Sequence, residues 1–323
     1  MFLAHTARCL LGGIARVLIL AAILPWPATA EVQYRAALPA ATDAKIFWAD
    51  APHRVYFDPA AHHRNQLLVF LPGTGGLNVG PPREFSMTAA ELGYHVIELA
   101  YPNAISATLC WKEVNSDCFE NFRWEIIDGR DISPLIAIGR ADSIENRLEK
   151  LLQWLDVQEP GKGWGDFLAP AGGVAWEKAA LAGQSQGGGH AALIAREHKV
   201  ARVLMFSAPK DYNRQLHKPA PWYRQGQTPV QRFFAFAHTR DKQGCTFSQQ
   251  LEIFRVMGMA SKPVIVDGAA PPFGGAQILL TNYPGRKISS VQAHVAGISN
   301  GLRDASGNPL FKPVWTYMLT AGE

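Results

Sequence analysis

Predominantly apolar runs alternate with amphipathic segments along the chain from residue 66 onward. Short runs bounded by turn-forming residues predict strands that are buried on both faces. These runs cover residues 67–71, 94–100, 178–182, 201–206, 233–237 and 278–282. Apolar residues at helical spacing predict helices at 84–92, 142–156, 191–198, 247–257 and 313–319. This alternation predicts an α/β protein with a mostly parallel sheet and helices on both faces.

Two long segments break the alternation, at residues 101–141 and 208–231. The first has no consistent period and contains Cys110 and Cys118, whereas the second is rich in proline, which lacks a backbone donor. Unpatterned segments of this length inside a compact domain are usually functional. We predict that both excursions are largely irregular and cover the same edge of the sheet.

The first thirty residues have the pattern of a secretory signal peptide. Arg8 and Arg16 precede or flank an apolar run at 17–24, and the small residues Ala28 and Ala30 fit a cleavage site after Ala30. An uncleaved anchor is the alternative, although eight apolar residues are too few to span about 30 Å of hydrocarbon. We predict a periplasmic or secreted protein without a stable membrane span, in which residues 31–323 form one domain.

Charge and cysteine content agree with this location. The chain carries 31 basic and 27 acidic residues, and loss of two leader arginines leaves a net charge of +2, which favours no nucleic-acid partner. Cys110 and Cys118 lie close together in the first excursion, and a disulfide between them is expected in an oxidising compartment. Cys245 is the odd cysteine, and we interpret it as a buried or inert thiol. Oligomeric state has no signature in the sequence.

The pentapeptide Gly-Gln-Ser-Gln-Gly at 183–187 joins a predicted strand to a predicted helix. In that context G-x-S-x-G predicts a nucleophile elbow, a tight turn that exposes the side chain of Ser185. Gly188 and Gly189 exceed what the turn requires, and each costs a helix up to about 1 kcal/mol relative to alanine. Close packing of the helix on the sheet is our interpretation of these two glycines.

A serine hydroxyl is a weak nucleophile at neutral pH, so Ser185 requires a base and a group that orients the base. In this architecture the acid and then the histidine follow the serine along the chain. Asp241, just after the strand at 233–237, is the predicted acid, with Asp211 and Asp267 as the rivals. His294, beyond the last predicted strand, is the predicted base, with His238 as the rival.

Acyl transfer also needs hydrogen-bond donors for the oxyanion that develops. We predict the backbone N–H of Gln186 as one donor, because it opens the helix after the nucleophile. The loop 72–76, Pro-Gly-Thr-Gly-Gly, follows the strand at 67–71 and supplies the second, from Thr74 or else Gly75. Phosphate-binding, dinucleotide-binding and metal-binding motifs are absent from the sequence, so we predict neither a cofactor nor a metal.

These residues resemble those of the α/β-hydrolase superfamily over most of residues 66–320. The resemblance rests on G-Q-S-Q-G at 183–187, L-P-G-T-G-G at 71–76, and the order of acid and histidine. The runs S-Q-G-G-G-H at 185–190 and D-S-I-E-N-R-L at 142–148 look most like a secreted bacterial branch of esterase-like or lipase-like members. The resemblance implies a sheet of about eight strands, a lid-like insertion and hydrolysis of esters. Pro72 stands where many lipases and esterases have histidine.

The sequence therefore predicts a serine hydrolase that cleaves a small-molecule or lipid-like ester through an acyl-enzyme formed on Ser185. Trp222 and Tyr223, in the second excursion, are predicted to contact the substrate. A peptidase, an amidase or an acyltransferase would use the same residues, and a non-catalytic binding protein would keep the fold alone. These are the alternative functions, and the natural substrate is not readable from the sequence.

Overall fold

The computed structural model describes residues 31–48, 51–76, 82–224, 226–259, 261–285 and 287–322. The predicted signal peptide and its cleavage site lie outside these residues. In the described part of the chain, no helix is both long and apolar enough to cross a membrane. The strands, in chain order, are β1 (Gln33–Ala37), β2 (His53–Phe57), β3 (Leu67–Leu71), β4 (His95–Glu98), β5 (Ala179–Gln184), β6 (Arg202–Phe206), β7 (Tyr212–Asn213), β8 (Lys218–Pro219), β9 (Phe233–His238), β10 (Val264–Ile265) and β11 (Ile278–Thr281).

Eight α-helices are described, and several short 3₁₀ turns lie between them. The helices, in chain order, are α1 (Pro39–Thr42), α2 (Arg83–Glu91), α3 (Cys118–Asp128), α4 (Ile144–Gln158), α5 (Gln186–Glu197), α6 (Phe247–Val256), α7 (Ser290–Val295) and α8 (Lys312–Thr320). Each helix predicted from the sequence is present to within a few residues, except that the one after the pentapeptide begins earlier, at Gln186.

Nine strands form one sheet in the order β1-β2-β4-β3-β5-β6-β9-β11-β10. Strand β2 is antiparallel to both of its neighbours, and every other adjacent pair is parallel. The predicted α/β architecture with a mostly parallel sheet is therefore confirmed. The sheet has one strand more than the predicted eight. Strands β1 and β2 lie before residue 66, where our pattern began, and β10 has only two residues.

Helices cover both faces of this sheet because the central strands are apolar on both sides. On one face, Val69 and Leu181 belong to a core with residues of α4, α5 and α6. On the other face, Phe70 and Ala182 belong to a second core with residues of α2 and α8. Burial on both faces accounts for the continuous apolar runs in the sequence.

The first excursion differs from the prediction, because it contains helix α3 and a 3₁₀ turn at Ala107–Lys112. Eight of the eleven residues of α3 are buried, including Arg123 and Glu125, so the helix lacks the polar stripe that gives a periodic signal. The predicted disulfide is present and joins Cys110 of the 3₁₀ turn to Cys118 at the start of α3. In the described part of the second excursion, the regular structure consists of the short β7–β8 hairpin and the start of a 3₁₀ turn at Val230–Arg232.

Candidate active site

Ser185 lies at the turn between strand β5 and helix α5, as the pentapeptide predicts. Its backbone has φ 53° and ψ −117°, an uncommon conformation for a residue with a side chain. The Ser185 N–H donates to the carbonyl of Phe206 at the end of β6, which fixes the turn to the neighbouring strand (2.9 Å). Backbone strain of this kind is maintained by surrounding contacts and concentrates at functional sites.

The glycines after Ser185 are explained by close approach of other groups. A Cβ on Gly187 would lie 2.0 Å from the carbonyl oxygen of Leu71, so only glycine fits against strand β3. A Cβ on Gly188 would lie 2.4 Å from Ala208 Cβ and 2.8 Å from Gly183 O of β5, in agreement with close packing against the sheet. At Gly189 the obstacle is different, because a Cβ would lie 2.2 Å from the guanidinium of Arg123. Gly189 therefore makes room for a side chain of the first excursion.

Asp241 and His294 are brought together at the carboxyl edge of the sheet. Asp241 lies in the turn after β9, and His294 lies near the end of α7, beyond β11. The imidazole Nδ1 of His294 is 2.9 Å from Asp241 Oδ2. A capping box between Ser289 and Gln292 defines the start of α7 and so fixes the short helix that carries His294.

The carboxylate of Asp241 is buried and accepts contacts on both oxygens. Oδ1 accepts the N–H of Gln243 at 2.9 Å, and Oδ2 also contacts the Lys210 ammonium at 2.8 Å. Burial by itself would raise the pKa of Asp241, but the hydrogen bond to His294 and the charge of Lys210 outweigh burial and lower it. Asp241 is therefore held as a carboxylate.

The rival acids and the rival histidine have other partners. Asp211 forms a bidentate ion pair with the buried Arg123, with N–O distances of 2.5 and 2.6 Å. Asp267 accepts the N–H of Asn282 and the hydroxyl of Thr281, at the end of β11. His238 accepts the N–H of Arg240 on Nδ1, within its own turn.

A cavity of about 480 Å³ lies beside Ser185 and His294. Ser185, His294 and Lys210 line it together, although Ser185 and His294 are far apart in sequence. Apolar side chains of the first excursion and of α7 form much of the remaining wall, among them Trp111, Phe119 and Val291. A volume of this order suits a small organic ligand.

The predicted oxyanion donors lie at the same cavity. Gln186 is the first residue of α5, so the helix offers its N–H no acceptor. The Gln186 side chain joins two segments, because its Oε1 accepts from the Thr74 hydroxyl (3.0 Å) and from Ala107 N–H (2.8 Å). The Gly75 N–H donates to Asn103 O at 3.0 Å, which leaves Thr74 as the candidate of the two.

Tyr101 and Asn103 hold the loop 72–76 and were missed in the sequence. The Tyr101 hydroxyl donates to Pro72 O at 2.5 Å, and the Asn103 amide donates to Gly73 O at 2.7 Å. Because residues that follow β4 bind the two successive carbonyls of Pro72 and Gly73, the loop has a fixed orientation beside Ser185. The one sequence signal for these two residues was their position just after a strand, because the carboxyl ends of parallel strands share one edge of the sheet.

Trp222 and Tyr223 do not have the predicted position. Both are buried, and neither is among the described residues that line the cavity of Ser185. Trp222 donates its indole N–H to Asp211 Oδ2 at 2.9 Å, and the Tyr223 hydroxyl accepts the N–H of Asp211 at 2.9 Å. Their aromatic rings therefore pack around the ion pair of Asp211 and Arg123, and the prediction of substrate contact is corrected to a structural role.

No three His, Cys, Asp or Glu side chains within the described ranges form a group that could hold a metal ion. Cys245 is free and buried, and burial raises the pKa of its thiol to about 12. At neutral pH this thiol is protonated, which agrees with an inert cysteine.

Comparisons with known proteins give structural neighbours only. No family model matches the sequence, and no curated protein matches it. The chain is similar to esterase B of Lactobacillus rhamnosis, in a structure with a tributyrin phosphonate inhibitor, at 11% identity and a TM-score of 0.39, over 90% of this chain and 86% of that chain. An esterase of the bacterial hormone-sensitive lipase family gives 14% identity and a TM-score of 0.39, over 91% and 86%. Likeness at this level carries no argument about the chemistry of this chain.

Glu98 is a second buried carboxyl group at the cavity. It is 4% exposed at the end of β4, and the Ser86 hydroxyl donates to it at 2.6 Å. Burial raises the pKa of Glu98 from 4.5 to about 7, and the hydrogen bond from Ser86 and the charge of Arg54 offset this only in part. The folded protein therefore retains a proton between about pH 4.5 and pH 7 that the unfolded chain loses.

Glu98→Gln is expected to remove a pH dependence of stability. Because the folded state binds the extra proton, the wild-type free energy of unfolding falls as pH rises from 4.5 to 7, by about 3 kcal/mol from this group. Urea unfolding at pH 5 and pH 8 should therefore show a smaller decrease for Glu98→Gln than for wild type. The exposed Glu91→Gln is the control and should follow wild type. Parallel behaviour of Glu98→Gln and wild type would contradict the assignment.

Proposed function

We propose that the protein is a serine hydrolase that cleaves carboxylic esters, with Ser185, His294 and Asp241 as its catalytic triad. The observation that carries the proposal is the strained turn of Ser185 on the same cavity as the His294–Asp241 hydrogen bond. A nucleophile on a strained turn, a base and an orienting carboxylate are the parts that acyl transfer requires.

In the proposed reaction, Ser185 Oγ attacks the acyl carbon while His294 Nε2 takes the serine proton. Asp241 holds Nδ1–H of the imidazole, which fixes the tautomer and stabilises the imidazolium. The N–H groups of Gln186 and Thr74 stabilise the oxyanion. His294 then protonates the departing alcohol, and an acyl-enzyme remains. Water that gives its proton to His294 attacks this ester and releases the acid together with free Ser185.

The cavity supports a small-molecule or lipid-like ester as the substrate. Its apolar wall suits an acyl chain, and its volume of about 480 Å³ limits the size of the part that is enclosed. We also propose export to the periplasm or the medium after cleavage at Ala30. The disulfide between Cys110 and Cys118 supports an oxidising location.

Covalent labelling tests the proposal. A fluorophosphonate probe reacts with activated serines, so wild type is expected to carry one label, located on Ser185 by mapping of the labelled peptide. Absence of a label, or a label on a different serine, would contradict the proposed triad.

Substrate comparison tests the ester class. Short acyl esters should be hydrolysed at least ten times faster, in kcat/KM, than the matched aminoacyl amides. A preference for amides would indicate a peptidase or amidase, and transfer of the acyl group to an added alcohol in preference to water would indicate an acyltransferase.

A further inference from the structure

Lys210 is a buried cation in direct contact with the proposed triad. It lies in the loop after β6 and its side chain is 7% exposed. Its Nζ is 2.8 Å from Asp241 Oδ2, the same oxygen that His294 Nδ1 approaches at 2.9 Å. Lys210 also lines the cavity beside Ser185 and His294. One carboxylate oxygen therefore serves both the imidazole and the ammonium.

The position of Lys210 is fixed along the whole side chain. Gly244 packs against its stem, since a Cβ there would lie 3.1 Å from Lys210 Cβ. The ammonium also approaches Cys245 O at 3.5 Å, so the end of the side chain has a second partner. These two contacts, in addition to that with Asp241, distinguish Lys210 from a mobile surface lysine that forms a transient ion pair with a carboxylate.

Other charged or titratable groups near this pair come from several elements. Asp211 follows Lys210 in the chain, but its carboxylate is already paired with Arg123 of α3. The thiol of Cys245 is kept neutral by burial. The remaining groups are on α7, at the end of β9, on the turn of Asp241 itself and in the second excursion: His294, His238, Arg240, Lys242 and Arg214. Among the described groups, Lys210 is the cation in hydrogen-bond contact with Asp241.

We propose that Lys210 is a positioning residue of the triad, which orients the Asp241 carboxylate and extends the working range of the His294 base to lower pH. The inference rests on the proposed function. A carboxylate next to an imidazole favours the protonated ring, which cannot accept the serine proton. A cation on the same carboxylate oxygen opposes that effect, so removal of the cation is expected to change the acidic limb of the activity profile.

Neutral substitutions of Lys210 test the inference through the pH profile. Lys210→Met and Lys210→Gln are expected to move the acidic limb of kcat/KM, measured with a short nitrophenyl ester, upward by about 1 pH unit. Lys210→Arg keeps the charge and should restore the limb to within about 0.3 units of wild type. Lys312→Met, which removes an exposed lysine paired with Glu91, is the matched control and should leave the profile unchanged. If the methionine variant does not fold, the glutamine variant carries the comparison.

The outcomes separate this inference from the proposed function. Suppose that Ser185 is labelled in wild type, but the acidic limbs of the neutral variants coincide with that of wild type. This result would overturn the role of Lys210 alone, even if kcat or stability had fallen. Failure of Lys210→Arg to restore the limb would also overturn it, because the charge would then not be the cause. Absence of labelling in wild type would overturn the proposed function and the inference with it.

Discussion

Ser185→Ala is expected to lower kcat for ester hydrolysis by about 10⁶-fold, because the substitution removes the atom that forms the acyl-enzyme. The residual rate should come from binding and from the oxyanion donors, which the substitution leaves in place. The measurement is the single-turnover rate constant for a short nitrophenyl ester, with enzyme in excess so that slow turnover remains visible. Fluorophosphonate labelling of the variant should disappear together with turnover.

The controls for Ser185→Ala concern folding and selectivity. Ser306→Ala replaces an exposed serine in the loop before α8 and should keep wild-type turnover and labelling. The melting temperature of Ser185→Ala should not fall, since the substitution removes one hydroxyl and leaves the backbone turn with its bond to Phe206 O. A variant that retains more than about one tenth of wild-type kcat would contradict the assignment of Ser185 as nucleophile.

Asp241→Asn is expected to lower kcat of the folded protein by about 10⁴-fold. The substitution also removes the buried partner of Lys210, so some loss of stability is expected as well. An amide can present N–H to His294 Nδ1, which favours the tautomer that cannot take the serine proton. The pair in question is the 2.9 Å contact between Asp241 Oδ2 and His294 Nδ1. The measurement is kcat near the pH optimum, with circular dichroism to verify the fold.

Asp211→Asn is the matched comparison, because Asp211 was the rival acid. Its carboxylate pairs with Arg123, and both side chains are almost fully buried, at 2% and 1% exposed. Removing one partner of a buried ion pair leaves an uncompensated charge and costs about 3–5 kcal/mol of stability. We expect Asp211→Asn to unfold at lower urea concentration than wild type. Its kcat, normalised to the active sites counted with the fluorophosphonate probe, should stay within about tenfold of wild type. The reverse pattern, with the large kcat loss in Asp211→Asn, would make Asp211 the triad acid.

The Arg123–Asp211 pair also shows why the second excursion was misinterpreted. Trp222 and Tyr223 were predicted to contact substrate because they lie in the second excursion, which was expected to cover the active-site edge of the sheet. In the structure Trp222 donates to the Asp211 carboxylate, and the Tyr223 hydroxyl accepts the backbone N–H of Asp211. Arg123, which pairs with that carboxylate, also donates to Gln186 O at 2.8 Å. An aromatic pair in a proline-rich segment has the same sequence signature whether it lines a substrate cavity or packs around a buried ion pair. Only the location of Arg123, 88 residues from Asp211, distinguishes them.

Helix α3 was missed for a related physical reason. Periodicity reveals a helix when one face is polar, but α3 is packed between other elements and buries Phe119, Trp124 and Glu125, whose spacing places them on different faces. The two buried charged residues of α3, Arg123 and Glu125, have buried hydrogen-bond partners. Glu125, for example, accepts the N–H groups of Ser133 and Ile138.

The sequence by itself determined the α/β architecture, the central strands and the position of the turn at Ser185. These features depend on neighbouring residues: a strand buried on both faces is a continuous apolar run, and a tight turn needs glycines at fixed offsets. The order of Asp241 and His294 also followed from the chain, although their catalytic roles stay predictions.

The tertiary structure alone decided which acid contacts His294, why Gly189 is glycine, and that Lys210 shares the carboxylate of Asp241. Each of these depends on side chains that come from separate segments, and their distances are set by packing rather than by spacing along the chain. The Asp241–His294 hydrogen bond joins residues 53 positions apart, and its partner Lys210 comes from yet another loop. Charges that offset one another at a buried site leave no periodic pattern, so they become visible only when the fold brings them within a hydrogen bond of each other.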